Sequence, residues 1–107
     1  MKTLKFRKKL AQLIIDGNKT TTWRLFDDKN LSVGDCISFR ISETGEEFLQ
    51  IEILSTNEVK FNELTQSDWE GHEKYDSEKK MYETFEKYYN RTVDGNTLVK
   101  IIKFRSL

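Results

Sequence analysis

The chain has 107 residues, of which 36% are hydrophobic and 34% charged, and this composition predicts one folded domain over residues 1–107 and excludes a disordered chain. It carries 18 basic and 18 acidic side chains, so it lacks the overall basic excess typical of proteins that bind duplex DNA or long RNA. It also lacks an apolar run of about 18 residues and a signal-peptide pattern, so we expect no membrane association and a cytoplasmic location.

The first half of the chain predicts a strand, a helix and several further strands. Leu4 and Phe6 indicate a short strand, and apolar residues at helical spacing up to Ile14 predict a helix that Gly17 ends. β-branched and aromatic residues predict a strand over Thr20–Leu25. Apolar and polar residues then alternate in strand fashion over 36–41, 48–55 and 58–61, with a hairpin turn at 43–46.

The second half predicts two helices and a closing strand. Asn62 is a candidate cap for a short helix that runs through Trp69, with Gly71 after it, and Asp76 or Ser77 caps a longer helix. The last strand, 98–104, is apolar on both faces, which is typical of an interior strand. The whole order predicts an α+β fold in which a small curved sheet closes towards a barrel and helices pack at its ends or outside it.

The segment between the first helix and the second strand contains the most reactive set of side chains. A lysine, three threonines and an arginine fall within residues 19–24. A desolvated lysine can act as a base for a neighbouring hydroxyl, and a polar pocket for a nucleobase would use similar residues. Strand alternation puts Thr20, Thr22 and Arg24 on one face. Lys19 then starts on the wrong face for Thr22, unless a turn or the length of its side chain brings the two together.

Cys36 is the only cysteine and His72 the only histidine. An intrachain disulfide is therefore excluded. One cysteine and one histidine are too few ligands for a typical zinc site, so we predict no bound metal. A nucleophilic pair of Cys36 and His72 stays open at this point. We expect Cys36 to be a small buried residue at the start of a strand, and His72 to be a loop residue.

Several short motifs, in order, resemble the ASCH domain of the PUA-like superfamily. The first are Gly17-x-Lys19-Thr20-x-Thr22-x-Arg24 after a helix, and Val33-Gly34-Asp35 opening a strand. They are followed by Phe61-x-Glu63-Leu64, Glu70-Gly71, a helix that ends at Tyr88-Tyr89, and the strand Ile101-Ile102-Lys103-Phe104. The resemblance covers essentially the whole chain. It implies a small mixed or antiparallel β-barrel with about three flanking helices beside a cleft.

Within this family, the size of the chain and its ending Phe104-Arg105-Ser106-Leu107 are similar to those of a small stand-alone bacterial branch. That branch hydrolyses the amide of N4-acetylcytidine and related N4-acylcytosines. Its catalytic lysine and the threonine three positions later match Lys19 and Thr22. Its downstream glutamate matches Glu70, with His72 and Glu73 as alternatives. Trp23 departs from the pattern, because an aliphatic residue is more usual there.

The resemblance implies a cofactor-free, metal-free amidohydrolase in which Thr22 is the nucleophile, Lys19 the base and Glu70 the residue that orients the base. Backbone N–H groups of the Gly17–Thr20 turn are candidate donors to the oxyanion. The alternative is a non-catalytic RNA-binding module that uses the same cleft. We expect a small nucleoside as partner, with RNA possible, and a monomer or weak homodimer. The candidate substrate-binding residues are Thr20, Trp23, Arg24 and Tyr89.

Overall fold

Five strands and three α-helices form the fold in the computed structural model, which describes residues 1–107. The elements in chain order are β1 (Lys2–Phe6), α1 (Lys8–Ile15), β2 (Thr21–Arg24), β3 (Cys36–Ile41), β4 (Glu47–Lys60), a single 3₁₀ turn (Phe61–Glu63), α2 (Gln66–Trp69), α3 (Glu78–Tyr89) and β5 (Leu98–Ser106). No helix is both long and apolar enough to cross a membrane.

The strands form one sheet in the order β1-β3-β4-β5-β2. β1 is parallel to β3 and the other neighbours are antiparallel, so the sheet is mixed. It curls into a half-barrel that stays open, because the edge strands β1 and β2 do not pair with each other. The predicted α+β class with three helices is thus confirmed. The interior position predicted for the last strand is also confirmed, since β5 lies between β4 and β2.

The two strands predicted over 48–55 and 58–61 are in fact the single strand β4 of 14 residues. Its pairing with β5 shifts register between Ile53 and Ser55, which interrupts the alternation of apolar residues and makes one strand resemble two. Cys36 opens β3 as expected, but its side chain is exposed and not buried.

The helix boundaries follow local capping residues. Asp16 ends α1 and Gly17 takes a φ of +81°, a left-handed conformation that glycine adopts without strain, as predicted. The start of α2 differs from the prediction: Thr65 and not Asn62 caps it, because Thr65 and Asp68 form a reciprocal capping box. Ser77 caps α3 by accepting a hydrogen bond from the Lys80 N–H, and this selects between the two predicted caps.

Buried apolar side chains form two clusters that β5 joins. Ile102 and Phe104 belong to the larger cluster, which contains the buried face of α1, whereas Val99 and Ile101 belong to a second cluster with Trp23 and the buried face of α3. Opposite faces of one interior strand therefore support both halves of the molecule. Strand β2, next to β5, carries the reactive segment identified in the sequence.

Candidate active site

A cavity of about 340 Å³ lies beside β2, and residues from β1, α1, β2, α3 and the segment between α2 and α3 line it. This volume is in the range of sites that hold one small molecule. The lining residues with polar or aromatic side chains that bear on chemistry are Lys5, Arg7, Lys19, Thr22, Trp23, Arg24, His72, Glu73, Tyr75, Tyr88 and Tyr89.

Lys19 reaches the cavity because the chain turns sharply between α1 and β2. The backbone N–H groups of Asn18 and Lys19 both donate to the Leu13 carbonyl, at 2.9 and 3.1 Å. The Lys19 side chain is only 2% exposed, and its Nζ forms an ion pair with Glu73 Oε1. The turn that the sequence required is therefore present, and Lys19 and Thr22 line the same cavity.

Burial controls the charge of this pair. Loss of solvation lowers the pKa of Lys19, the Arg24 charge lowers it further, and Glu73 limits the decrease. Burial acts to raise the pKa of Glu73, but the Lys19 ammonium outweighs it and holds that pKa below its ordinary value. The result is an ion pair whose amine gives up its proton more readily than a lysine in water does.

The Thr22 hydroxyl is the only β2 hydroxyl on the cavity side. Thr22 is 3% exposed, yet its Oγ1 makes no hydrogen bond within the chain and is not sealed from solvent. Thr21, on the opposite face, donates its hydroxyl hydrogen bond to the Glu70 carbonyl at 2.8 Å. Thr22 thus presents a free hydroxyl in the cavity that also holds the Lys19 amine.

The structure corrects the expectation that Glu70 joins Lys19. The Glu70 side chain is exposed and does not line the cavity, whereas Glu73 lines it and pairs with Lys19. The cause is a turn at Gly71, where φ is +74° and the carbonyl accepts hydrogen bonds from the N–H groups of Thr20 and Thr21. This turn directs residues 72 and 73 into the cavity and leaves the Glu70 carboxylate outside. Glu73, an alternative from the sequence, is therefore the carboxylate that meets Lys19.

His72 lies in the loop between α2 and α3, as predicted, and its buried ring forms part of the cavity wall. Its ring stacks on the Trp23 indole, with centroids 3.9 Å apart and an interplanar angle of 17°. Its Nδ1 lies 2.7 Å from the Glu73 carbonyl oxygen, which can only accept, so Nδ1 carries the proton. Burial, and then the Lys19 charge, lower the pKa of His72 to about 4. The ring is thus neutral at neutral pH, with an unprotonated Nε2.

Buried neutral His72 makes the folded state sensitive to acid. The pKa of His72 falls from 6.5 to about 4 on folding. The stability of the folded state that depends on neutral His72 is therefore complete above pH 6.5 and is lost as the pH falls towards 4. We expect the free energy of unfolding to decrease by about 3 kcal/mol over this range. Urea unfolding at several pH values measures it. His72→Phe keeps an aromatic ring against Trp23 and removes the titration, so an equally steep pH dependence in this variant would contradict the assignment.

The other substrate-binding candidates divide into three cavity residues and one that lies outside. Thr20 is exposed and does not line the cavity, because β2 begins at Thr21 and strand alternation does not extend back to Thr20. Trp23, Arg24 and Tyr89 do line it. Trp23 is 3% exposed and donates its indole N–H to the Asp68 carbonyl at 3.3 Å. This bond fixes the indole ring on which His72 stacks. The Tyr89 hydroxyl accepts a hydrogen bond from the Leu25 N–H at 3.0 Å.

The backbone amides proposed as donors to the oxyanion are already occupied. Each N–H from Gly17 to Thr20 donates to a backbone carbonyl, which is what makes the turn tight. Tyr75 is a donor that the sequence reasoning missed. Its phenol lines the cavity without a hydrogen bond in the chain, and burial raises its pKa well above the ordinary value, so it stays protonated. No cluster of three or more His, Cys, Asp or Glu side chains suited to a metal ion is present.

Comparison with known proteins identifies relatives of the same fold. The chain is 37% identical over 62 residues to N(4)-acetylcytidine amidohydrolase of Moritella marina, an alignment that covers 58% of this chain and 57% of the relative. It therefore spans little more than half the length of that relative.

Two solved structures superpose over nearly the whole chain. The ASCH domain from Lactobacillus crispatus JV V101 is 16% identical, with a TM-score of 0.72 over 98% of this chain and 79% of the other. A protein from Enterococcus faecalis V583 is 17% identical, with a TM-score of 0.76 over 92% of this chain and 70% of the other. At these identities the likeness concerns the fold. The family model described as the ASCH domain matches residues 2–107, and the chain belongs to the ASCH domain family.

Proposed function

We propose that this protein is an amidohydrolase that removes the acyl group from N4-acetylcytidine or related N4-acylcytosine nucleosides. The observation that carries the proposal is a buried lysine of lowered pKa and an unpartnered threonine hydroxyl in one cavity. The similarity to a bacterial N(4)-acetylcytidine amidohydrolase supports the choice of substrate, although it covers 57% of that relative. The cavity volume of about 340 Å³ suits a single nucleoside.

In the proposed first step, Thr22 Oγ1 attacks the acyl carbonyl carbon while Lys19, as the neutral amine, takes the hydroxyl proton. The tetrahedral intermediate collapses, the bond between the acyl carbon and N4 breaks, and Lys19 returns the proton to N4. Cytidine leaves and the acyl group stays on Thr22 as an ester. Lys19 then takes a proton from a water molecule, which attacks the ester carbonyl carbon. The bond between that carbon and Thr22 Oγ1 breaks, Lys19 returns the proton to Oγ1, and the acid leaves.

Glu73 and one hydrogen-bond donor complete the proposed machinery. Glu73 holds the Lys19 amine in place through their ion pair, and burial favours the neutral base by lowering the pKa of Lys19. The Tyr75 hydroxyl lines the same cavity and is the donor we assign to the developing oxyanion. Tyr75 keeps its proton because burial raises its pKa.

A non-catalytic RNA-binding role for the same cleft would need Lys19 to grip phosphate. Lys19 is 2% exposed and is already paired with Glu73, so it is poorly placed to meet the backbone of a nucleic acid. A lysine that is desolvated beside a hydroxyl favours catalysis over phosphate binding. The site therefore favours the amidohydrolase over the RNA-binding module.

Substitution of the two neighbouring glutamates tests the site. We expect Glu73→Gln to lower kcat with N4-acetylcytidine by roughly 10²-fold or more, because Lys19 loses the carboxylate that holds its amine in position. Glu70→Gln is the matched control and should keep wild-type turnover, since its side chain lies outside the cavity. Release of cytidine measures both rates. The reverse pattern, with Glu70→Gln inactive and Glu73→Gln active, would restore the assignment made from sequence and refute this one.

The pH dependence of the residual activity adds a second readout. The Glu73 carboxylate raises the pKa of Lys19, so its removal lowers that pKa further. We therefore expect the rising limb of the pH profile to move to lower pH in Glu73→Gln and to stay in place in Glu70→Gln. A profile that does not move would show that Lys19 is not the titrating base.

A further inference from the structure

The cavity holds more positive charge than its chemistry requires. Four cationic side chains line it, Lys5, Arg7, Lys19 and Arg24, whereas Glu73 is the only carboxylate. Lys19 and Glu73 neutralise each other, and the neighbouring His72 is uncharged. Three cations at a pocket for a neutral nucleoside have no partner in the proposed reaction.

Arg24 is a half-buried cation of the cavity that has no ion-pair partner. Its guanidinium makes no ion pair with any carboxylate of the chain, and its Nε is sealed from solvent without a hydrogen bond. The guanidinium donates to the Lys5 carbonyl, 3.2 Å from one terminal nitrogen, and lies over the Phe6 ring, whose centroid is 4.7 Å from Cζ. The Tyr89 side chain and the Glu73 charge also act on it, but neither forms an ion pair with it. A half-buried arginine without an anion is unfavourable unless a ligand supplies one.

Lys5 and Arg7 place two more free cations at the cavity mouth. Both side chains are exposed and neither forms an ion pair within the chain. The Arg7 guanidinium lies 5.6 Å from the centroid of the exposed Tyr88 ring. The Glu43 carboxylate accepts hydrogen bonds from the backbone N–H of Lys8, at 3.1 and 3.3 Å from its two oxygens, and does not line the cavity.

The position of these cations relative to Thr22 suggests what they meet. Arg24 is two residues beyond Thr22 on the same face of β2, which is about 7 Å along the strand. Arg24 donates a hydrogen bond to the carbonyl of Lys5, whose side chain lies at the cavity mouth. A ligand bound with its amide at the buried Thr22 and its other end at the exposed side chains of Lys5 and Arg7 would span the cavity.

We propose that Arg24, Lys5 and Arg7 form a phosphate subsite, and that the preferred substrate is an N4-acylated cytidine 5′-monophosphate, not the bare nucleoside. This rests on the proposed function for the acyl group, but the phosphate subsite itself is testable by binding alone. A mononucleotide is favoured over an RNA chain because the cations cluster at one mouth of one small cavity and the net charge of the chain is zero.

Calorimetric titration with cytidine, cytidine 5′-monophosphate and a short oligocytidylate tests the subsite without relying on turnover. At an ionic strength of about 0.1 M we expect the monophosphate to bind about tenfold more tightly than cytidine. Lys5→Gln/Arg7→Gln should remove most of this difference and leave the affinity for cytidine unchanged. Lys60→Gln/Lys79→Gln, two exposed lysines that do not line the cavity, is the control with the same change of net charge.

The outcomes separate this inference from the proposed function. Equal affinity for cytidine and its monophosphate, or an unchanged preference in Lys5→Gln/Arg7→Gln, overturns the subsite. An oligocytidylate that binds far more tightly than the monophosphate overturns the choice of a mononucleotide. A charge-dependent preference for the monophosphate in a protein that releases no cytidine from acylated substrates supports the subsite while the amidohydrolase proposal fails.

Discussion

Lys19→Met is expected to lower kcat with N4-acetylcytidine by roughly 10²–10⁴-fold, the range typical of the loss of a general base. Methionine fills nearly the same buried volume but has no group that accepts the Thr22 proton. KM should change much less, because Lys19 acts on the proton and not on the bound nucleoside. Release of cytidine, followed by its absorbance, measures both constants.

A control is needed because Lys19→Met also breaks a buried ion pair, which costs on the order of 3 kcal/mol of stability. The double variant Lys19→Met/Glu73→Gln removes the unpaired carboxylate and should recover most of that stability without recovering activity. Lys9→Met, an exposed lysine of α1 outside the cavity, should behave as wild type. If the double variant is stable and as active as wild type, Lys19 is not the general base.

Thr22→Val should abolish turnover, with a fall in kcat of at least ~10³-fold, because the attacking oxygen is replaced by a methyl group of similar size. The free energy of unfolding should barely change, since the Thr22 hydroxyl makes no hydrogen bond within the chain. Thr22→Ser keeps a hydroxyl and should retain measurable activity. The same cytidine assay and a urea titration report the two properties.

Thr21→Val is the matched control for this variant, because the two threonines are adjacent and both are buried. Thr21 donates to the Glu70 carbonyl at 2.8 Å on the other face of β2. We therefore expect Thr21→Val to lose about 1 kcal/mol of stability and to keep its activity. Substantial activity in Thr22→Val together with inactivity in Thr21→Val would show that Thr22 is not the nucleophile.

Local patterns in the sequence predict much of this fold correctly. Gly17 and Ser77 mark helix ends through conformations and caps that depend on neighbouring residues only. The apolar run of β5 indicates a strand with neighbours on both sides. The length of β4 was not predictable in this way, since a register shift at Ile53–Ser55 depends on the partner strand.

The residues of the candidate site likewise divide into those that local sequence predicts and those that depend on distant contacts. Lys19 and Thr22 belong to one short segment, so a motif and a turn are enough to place them together. Glu73 and Tyr75 reach the cavity only because Gly71 turns the chain against β2, a contact between residues about fifty positions apart. His72 is buried by stacking on Trp23, which no periodic pattern near residue 72 reveals.

The central claim is that a buried amine and a free hydroxyl hydrolyse the amide bond of an N4-acylcytosine without a metal ion. The most direct measurement is the release of cytidine and acetate from N4-acetylcytidine by the purified protein, before and after treatment with a chelator. We predict equimolar release of the two products at a rate that the chelator does not change. No release, or activity that is lost on chelation and restored by an added divalent metal, would contradict the account.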